Sequence, residues 1–213
     1  QGPVASIWHT QQSLVVPRSY RRFENFEQVC AQFAQQGWPV TVRQTGGGLV
    51  PQGPGIVNLS LAYGVQGPPM QHSEAGYLLI CELLADALRS IGIEAFPAAV
   101  EGSFCDGRYN LAVRQAGRLV KIAGTAQSWR RAPRTPDTHL GLVHALVLID
   151  VDTAMVTEMA NAFESALGNG QPYLADKVIA AAELLDRPPA LQSRFEQALN
   201  HVVARACPSL PSP

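Results

Sequence analysis

The 213 residues predict an α/β (α+β) fold: a mixed β-sheet core with flanking helices and a helical C-terminal segment. Three observations carry this. Short β-like runs alternate with helical ones over the first 150 residues. One run, Leu140–Asp150, is almost wholly apolar, as a strand covered on both faces must be. From Thr153 onward the pattern is helical. With 46% hydrophobic and 15% charged residues, the chain can bury a substantial core without disulfide or metal staples.

In chain order, "ASIWHT" and "SLVVPR" read as two short strands joined at Gln11–Gln12. "ENFEQVCAQFAQQG" places Phe26, Val29, Cys30 and Phe33 at helical spacing and is closed by Gly37. "WPVTVRQ" is a strand entering the segment Gly46–Gly48. "GIVNLSLAY" is the next strand, alternating Val57, Leu59 and Leu61. "SEAGYLLICELLADALRSIGI" is a long helix with Ser73 as its N-cap and Gly92 near its end. Then come "EAFPAAV", a strand "RYNLAVRQ", a turn at Ala116–Gly117, the strand "RLVKIAGTAQSW" and the run Leu140–Asp150. The helical remainder breaks at Gly168–Pro172 and Arg187–Pro189. No repeat, coiled coil or linker interrupts the chain.

A net charge of −1 gives no global field for nucleic acid or a membrane surface. The longest apolar run, Leu140–Ile149, is about half of a membrane span. No signal-peptide pattern is visible, and Gln1 is not a natural start, which leaves room for a processed or disordered leader. The cysteines, Cys30, Cys81, Cys105 and Cys207, are widely spaced and form no Cys-x-x-Cys pair. Neither a metal site nor a disulfide framework is expected, and a reducing cytoplasm is the default compartment. Cys30 and Cys81 fall in helical apolar stretches and read as small buried hydrophobes. Cys207 lies in a Pro-rich tail.

Three glycines in a row exceed what a hairpin needs. "VRQTGGGLVPQGPGIVNL" lacks the Gly-Lys-Ser/Thr ending of a phosphate loop, and its glycines lead from strand to strand rather than into a helix. The bare backbone suits close approach of a ligand to main-chain N–H groups, and an ordinary flexible hairpin is the alternative. Cys105 precedes a turn-like "DGR" on a loop entering a strand, sixteen residues before Lys121. Alone it reads as a buried hydrophobe. Lys121, flanked by Val120 and Ile122, points either inward or to solvent, as strand alternation allows. His144 inside "GLVHALVLID" reads as a satisfied core histidine. Arg130, Arg131 and Arg134 form a basic loop patch, solvated or suited to an acidic protein surface.

"RQTGGGLVPQGPGIVNLSLAY", "FCDGRYNLAV" and "VKIAGTAQSWRR" together resemble, in order and spacing, three motifs of the biotin/lipoate protein ligase and octanoyltransferase superfamily. The match is nearest the cysteine-dependent octanoyltransferase and lipoyl amidotransferase branch. The resemblance implies a ligase-like catalytic core over residues 1–150, with the family's N-terminal helix outside this sequence, and a helical segment 151–213 packed on the same domain. It implies an acyl-binding tunnel lined by Arg43, Gly46, Gly47, Gly48, Gln52 and Asn58, a nucleophilic Cys105, and a Lys121 that binds the acyl carbonyl. Gly124, Thr125, Ala126 and His144 would support the site. Gln52 stands where the pattern carries histidine, which leaves room for a non-catalytic acyl-binding homologue.

The long accessory domain of ATP-dependent ligases has no counterpart in the sequence, which tilts the implied activity toward transfer. An octanoyl or lipoyl group would move from a carrier thioester to a lipoyl-domain lysine through Cys105. No cofactor is needed for that reaction; ATP and Mg would be needed by the alternative, ligation through an acyl-adenylate. The implied partners are an acyl carrier protein or the glycine cleavage H protein as donor, and lipoyl domains of 2-oxoacid dehydrogenases as acceptor. Neither nucleic acid nor membrane is expected as a partner.

Overall fold

The structure, a computed structural model, describes residues 3–133, 135–170 and 172–206. The expectations for Cys207 and Arg134 therefore lie outside the described residues. Two sheets form the centre. The larger has six antiparallel strands in the order β1 (Val4–Trp8), β5 (Ile56–Gln66), β9 (Thr138–Leu148), β8 (Arg118–Arg131), β7 (Leu111–Gln115) and β6 (Phe96–Pro97). The smaller has β3 (Val40–Arg43) parallel to β2 (Ser13–Pro17), with β4 (Val50–Gln52) antiparallel on its other side. The α+β expectation therefore holds, and among the named strands of the described residues only β2 and β3 pair in parallel.

Alternation along each strand decides which core a residue enters. Val57, Leu59 and Leu61 of β5 join Val143, Ala145 and Val147 of β9 in a core covered by α2 (Met70–Ser90) and α5 (Leu191–Ala206). Ile56, Leu146 and Leu148 face the other way. They meet Leu14, Val16 and Leu49 of the small-sheet region, with α1 (Phe26–Gln35) and α3 (Thr153–Ala166) behind them. The two cores share the large sheet, which explains the apolar run at Leu140–Asp150: most of β9 has no solvent side, although Leu142 remains 43% exposed.

The two strands joined at Gln11–Gln12 are present and enter different sheets: β1 pairs with β5 and β2 joins the small sheet. Two local expectations need correction. Ser73 is not an N-cap. The helix begins at Met70 behind Pro69, and the Ser73 hydroxyl instead donates to Gln127 Oε1 at 2.6 Å. The C-terminal part is also less helical than its pattern suggests. Between α3 and α5 the chain makes only a 3₁₀ turn, Ala175–Lys177, and the short α4 (Ala181–Leu184). This segment is held by the large sheet instead: the Ile179 N–H donates to the Lys121 carbonyl at 2.9 Å, and Val178 bridges to Lys121.

Candidate active site

β8 carries a bulge opposite Leu111–Ala112. Ala112 pairs with Lys121 and Leu111 with Ala123, so Ile122 is the extra residue. A bulge breaks the two-residue alternation and re-aims a side chain. Val120, Lys121 and Ile122 are consequently all buried, with Lys121 3% exposed. Its ammonium lies between the two sheets and donates to the Phe104 carbonyl and, at 3.1 Å, to the Cys105 carbonyl. Gly124 leaves the room: a Cβ there would stand 3.2 Å from the Lys121 Nζ. Burial pulls the Lys121 amine down to about 8, against the opposing influence of Cys105 and Asp106.

Cys105 sits half-buried on the loop above this lysine, with φ 47°, a left-handed conformation that is uncommon for a residue with a side chain. Asn110, 2% exposed, fixes the loop from below. Its amide donates to the Cys105 carbonyl at 2.7 Å and accepts from the Thr125 N–H at 3.1 Å. The Thr125 hydroxyl donates to the Tyr109 carbonyl at 2.7 Å. The other two described cysteines are less available chemically: burial pushes both the Cys30 and Cys81 thiols up to about 11, with Glu27 adding to the effect at Cys30.

The glycine segment comes to the same place from the small sheet. At Gly47, φ is 100°, and a Cβ would stand 2.6 Å from the Cys105 sulfur and 3.1 Å from Arg43 Nη2. At Gly48 it would stand 3.6 Å from the Cys105 nitrogen. Arg43 holds the turn, donating from Nη2 to the Gly46 and Gly48 carbonyls at 3.0 and 2.6 Å and from Nη1 to the Val15 carbonyl at 3.1 Å. Gly46 and Gly47 themselves are exposed. The narrow cavity beside Lys121 is lined by Val50, Pro51, Phe104, Gly124, Leu146 and Leu148, not by the three glycines. Its volume, about 10 Å³, is on the scale of one water. An acyl chain entering there has to part β4 from the large sheet.

Gln52 and Asn58 form a reciprocal amide pair, 2.8 and 3.0 Å, buried between the sheets. Each satisfies the other's donor and acceptor, which makes the pair a spacer in an apolar interface. Ala126 is opposite His144 in the β8–β9 register. His144 lies further along the same face, stacked on Trp8 at 5.3 Å and 3.2 Å from the Ser60 hydroxyl. Burial, helped by the Arg43 charge, lowers it to about 4 against the opposing effect of a hydrogen bond to the Leu59 backbone carbonyl. Thus Cys105, Lys121, Arg43, Gly47, Gly48, Gly124 and Thr125 converge, while Gln52, Asn58 and His144 stand apart from the sulfur in separate contacts.

The sequence reading missed two groups. Asn110 was within a quoted motif, and its signal was a lone amide entering an apolar strand. Tyr173 gave none. Its hydroxyl would be 3.4 Å from a Gly48 Cβ, and its ring lies 5.0 Å from that of Phe104. It donates to Glu164 Oε1 at 2.8 Å; Tyr20 donates to the same oxygen at 2.5 Å, and Asn169 to Oε2 at 2.6 Å. Glu164 is 2% exposed, so a buried carboxylate anchors the wall behind the glycine turn.

The arrangement offers a sulfur nucleophile, two nearby cations and an apolar cleft. The family model for the lipoyl protein ligase A/B catalytic domain matches residues 1–203. An uncharacterized protein of Cupriavidus necator is 48% identical over 217 residues, 96% of this chain and 86% of its own length. An octanoyl-[GcvH]:protein N-octanoyltransferase of Kyrpidia tusciae is 36% identical over 138 residues. That match takes in 62% of this chain and only 45% of the Kyrpidia protein. Among solved structures, lipoate-protein ligase A bound with ATP superposes with a TM-score of 0.68 at 19% identity, over 99% of this chain and 74% of that one. A bi-partite lipoate protein ligase of Thermoplasma acidophilum gives 0.65 at 17%, over 99% and 73%. At these identities the two structures speak for the fold.

Proposed function

The chain belongs to the lipoyl protein ligase A/B catalytic-domain family, and from that premise we propose that it is an octanoyl or lipoyl transferase working through a Cys105 acyl-enzyme. The observation that carries this reading is the meeting of three separate segments at one residue: the Gly47 turn beside the Cys105 sulfur, the loop of Cys105 itself, and the Lys121 amine bonded to the Cys105 carbonyl. In the first step the Cys105 thiolate attacks the thioester carbonyl of an acylated carrier. The new C–S bond forms as the carrier's C–S bond breaks, and the carrier thiolate leaves and takes up a proton. In the second step the amine of an acceptor lysine attacks the enzyme thioester. An amide forms, the amine gives up a proton, and the Cys105 thiolate is released.

Lys121 has three N–H donors, and two are occupied by the Phe104 and Cys105 carbonyls. In this reading they hold the loop, and the third meets the acyl oxygen. The glycine turn admits the acyl head to the sulfur where any side chain would block it. The Kyrpidia relative, by its name an octanoyltransferase acting on octanoyl-GcvH, supports a protein-borne octanoyl group as donor; where that group is held as an amide, the same attack breaks the C–N bond and the carrier amine leaves with a proton. A lipoyl domain is the acceptor in this reading.

The test is intact mass after incubation with an octanoylated carrier thioester, without ATP. A single octanoyl adduct should appear on the wild type, map to Cys105, and vanish in Cys105→Ser, which lacks a base to activate its hydroxyl. ATP-dependent pyrophosphate release from free acid, undiminished in Cys105→Ala, would overturn transfer in favour of ligation.

A further inference from the structure

We propose that Arg43 is the charge partner of Cys105: its guanidinium, clamped by three backbone carbonyls, faces the sulfur across Gly47 and holds the thiolate in place. The acyl-enzyme reading above gives this pair its purpose; the pairing itself is read from the apoprotein.

The geometry rests on one point in space. The position that a Gly47 Cβ would occupy is 2.6 Å from the Cys105 sulfur and 3.1 Å from Arg43 Nη2. The space left open at Gly47 therefore borders both groups. Arg43 cannot swing away, because its Nη atoms are spent on the Val15 carbonyl in the middle of β2 and the Gly46 and Gly48 carbonyls of the turn. Its Nε is out of contact with water and has no hydrogen-bond partner. Among the described residues no carboxylate forms a salt bridge with it. A half-buried guanidinium without a carboxylate gains from another anion at hand, and the thiolate is the anion this site can supply.

The other groups around the thiol have different work. Lys121, on β8, comes from beneath and is engaged by the loop's own carbonyls. Tyr77, on α2, is held protonated by burial, with Cys105 and then Tyr109 adding to the effect. Asp106 is the neighbour in the loop, and Tyr173 approaches from behind Phe104 and donates its hydrogen bond to Glu164. Burial holds the Arg43 guanidinium below the usual arginine range, and Cys105 is the foremost influence in the other direction, ahead of Tyr20 and Tyr173. An arginine cannot give up its proton in a protein, so the positive charge at the sulfur is permanent, whereas an amine near 8 would lose its charge in mild alkali.

The experiment measures alkylation of Cys105 at neutral pH by iodoacetamide, which is neutral, and iodoacetate, which is an anion, with the modified peptide quantified by mass. A cation beside a thiolate favours the reactive form and also draws in an anionic reagent. Arg43→Gln should slow iodoacetamide about tenfold and lower the iodoacetate-to-iodoacetamide ratio severalfold. Arg43→Lys should restore most of that ratio, since it returns the charge without the fork. Unchanged rates in Arg43→Gln overturn the pairing. So does a slowed rate with a ratio that Arg43→Lys fails to restore, because Arg43 would then be only a clamp. Where Arg43→Gln does not fold, Gly47→Ala carries the test: a methyl wedged between sulfur and guanidinium should slow alkylation, and an unaltered rate refutes the proposal. No acyl donor is involved. Arg43-dependent alkylation without acyl transfer would defeat the transferase reading and leave the pair standing; acyl transfer with Arg43-independent alkylation would do the reverse.

Discussion

His144 shows how a single side chain makes the fold sensitive to acid. Its folded-state value near 4 lies below the ordinary histidine value of about 6.5. The unfolded chain therefore binds the extra proton first, and stability falls as pH drops from about 6.5 toward 4. The loss amounts to roughly 2–3 kcal/mol once complete. Urea titrations at pH 7 and pH 4.5 should show a smaller loss for His144→Gln than for the wild type; equal losses would refute this account. Residues of this kind were only partly legible in the sequence. Cys105 and Lys121 stood out because a thiol on a loop and a lysine in an apolar strand are exceptions to their surroundings. The direction of Lys121 was not legible, since alternation assumes a regular ladder and the bulge at Ile122 breaks it. Nor was the nearness of Arg43 to Cys105, a contact between residues sixty-two positions apart that no local pattern encodes.

At the scale of elements, α2 approaches the large sheet most closely at Gly76. A Cβ there would meet the Tyr63 hydroxyl, the Gln127 amide at 2.6 Å and Val143 at 3.1 Å. Alanine would gain about 1 kcal/mol in helix propensity and lose about 1–3 kcal/mol to overpacking. Gly76→Ala should lower the thermal midpoint, and a raised midpoint would show that Tyr63 yields. The helix itself was plain from its apolar period, but its start was not. Ser73 looked like a cap because serine suits that position, yet its hydroxyl serves Gln127 across the interface. The three-residue strand β4 left no trace of its own beside so many glycines. β5, β8 and β9 were legible because they alternate or are apolar throughout, and α1 because its period ends at Gly37.

At the scale of the whole molecule, the part of the chain after Val151 builds the wall of the site. Glu164 ties Tyr20 from the first quarter of the sequence to Tyr173 from the last. Glu164→Leu would strand two phenol hydroxyls and the Asn169 amide in the interior, at a cost of about 2–5 kcal/mol. The loss should appear as a lower urea midpoint with an unchanged slope, and a midpoint within error of the wild type would dismiss the network as incidental. None of this was legible in the sequence, where Glu164 is one acidic residue among seventeen and its burial depends on partners far along the chain.

The bond from the Ile179 N–H to the Lys121 carbonyl also sets a timetable. During synthesis Cys105, Arg43 and Lys121 leave the ribosome long before Tyr173, Val178 and the helix that seats Phe195 against the first core. A nascent chain stalled near residue 150 carries every reactive group and still lacks the support that orients them. Such a segment has neither the Val178 bridge beside Lys121 nor the Tyr173 ring against Phe104, so the site is assembled from both sides of Val151 and not from the stretch that holds its thiol and its cations.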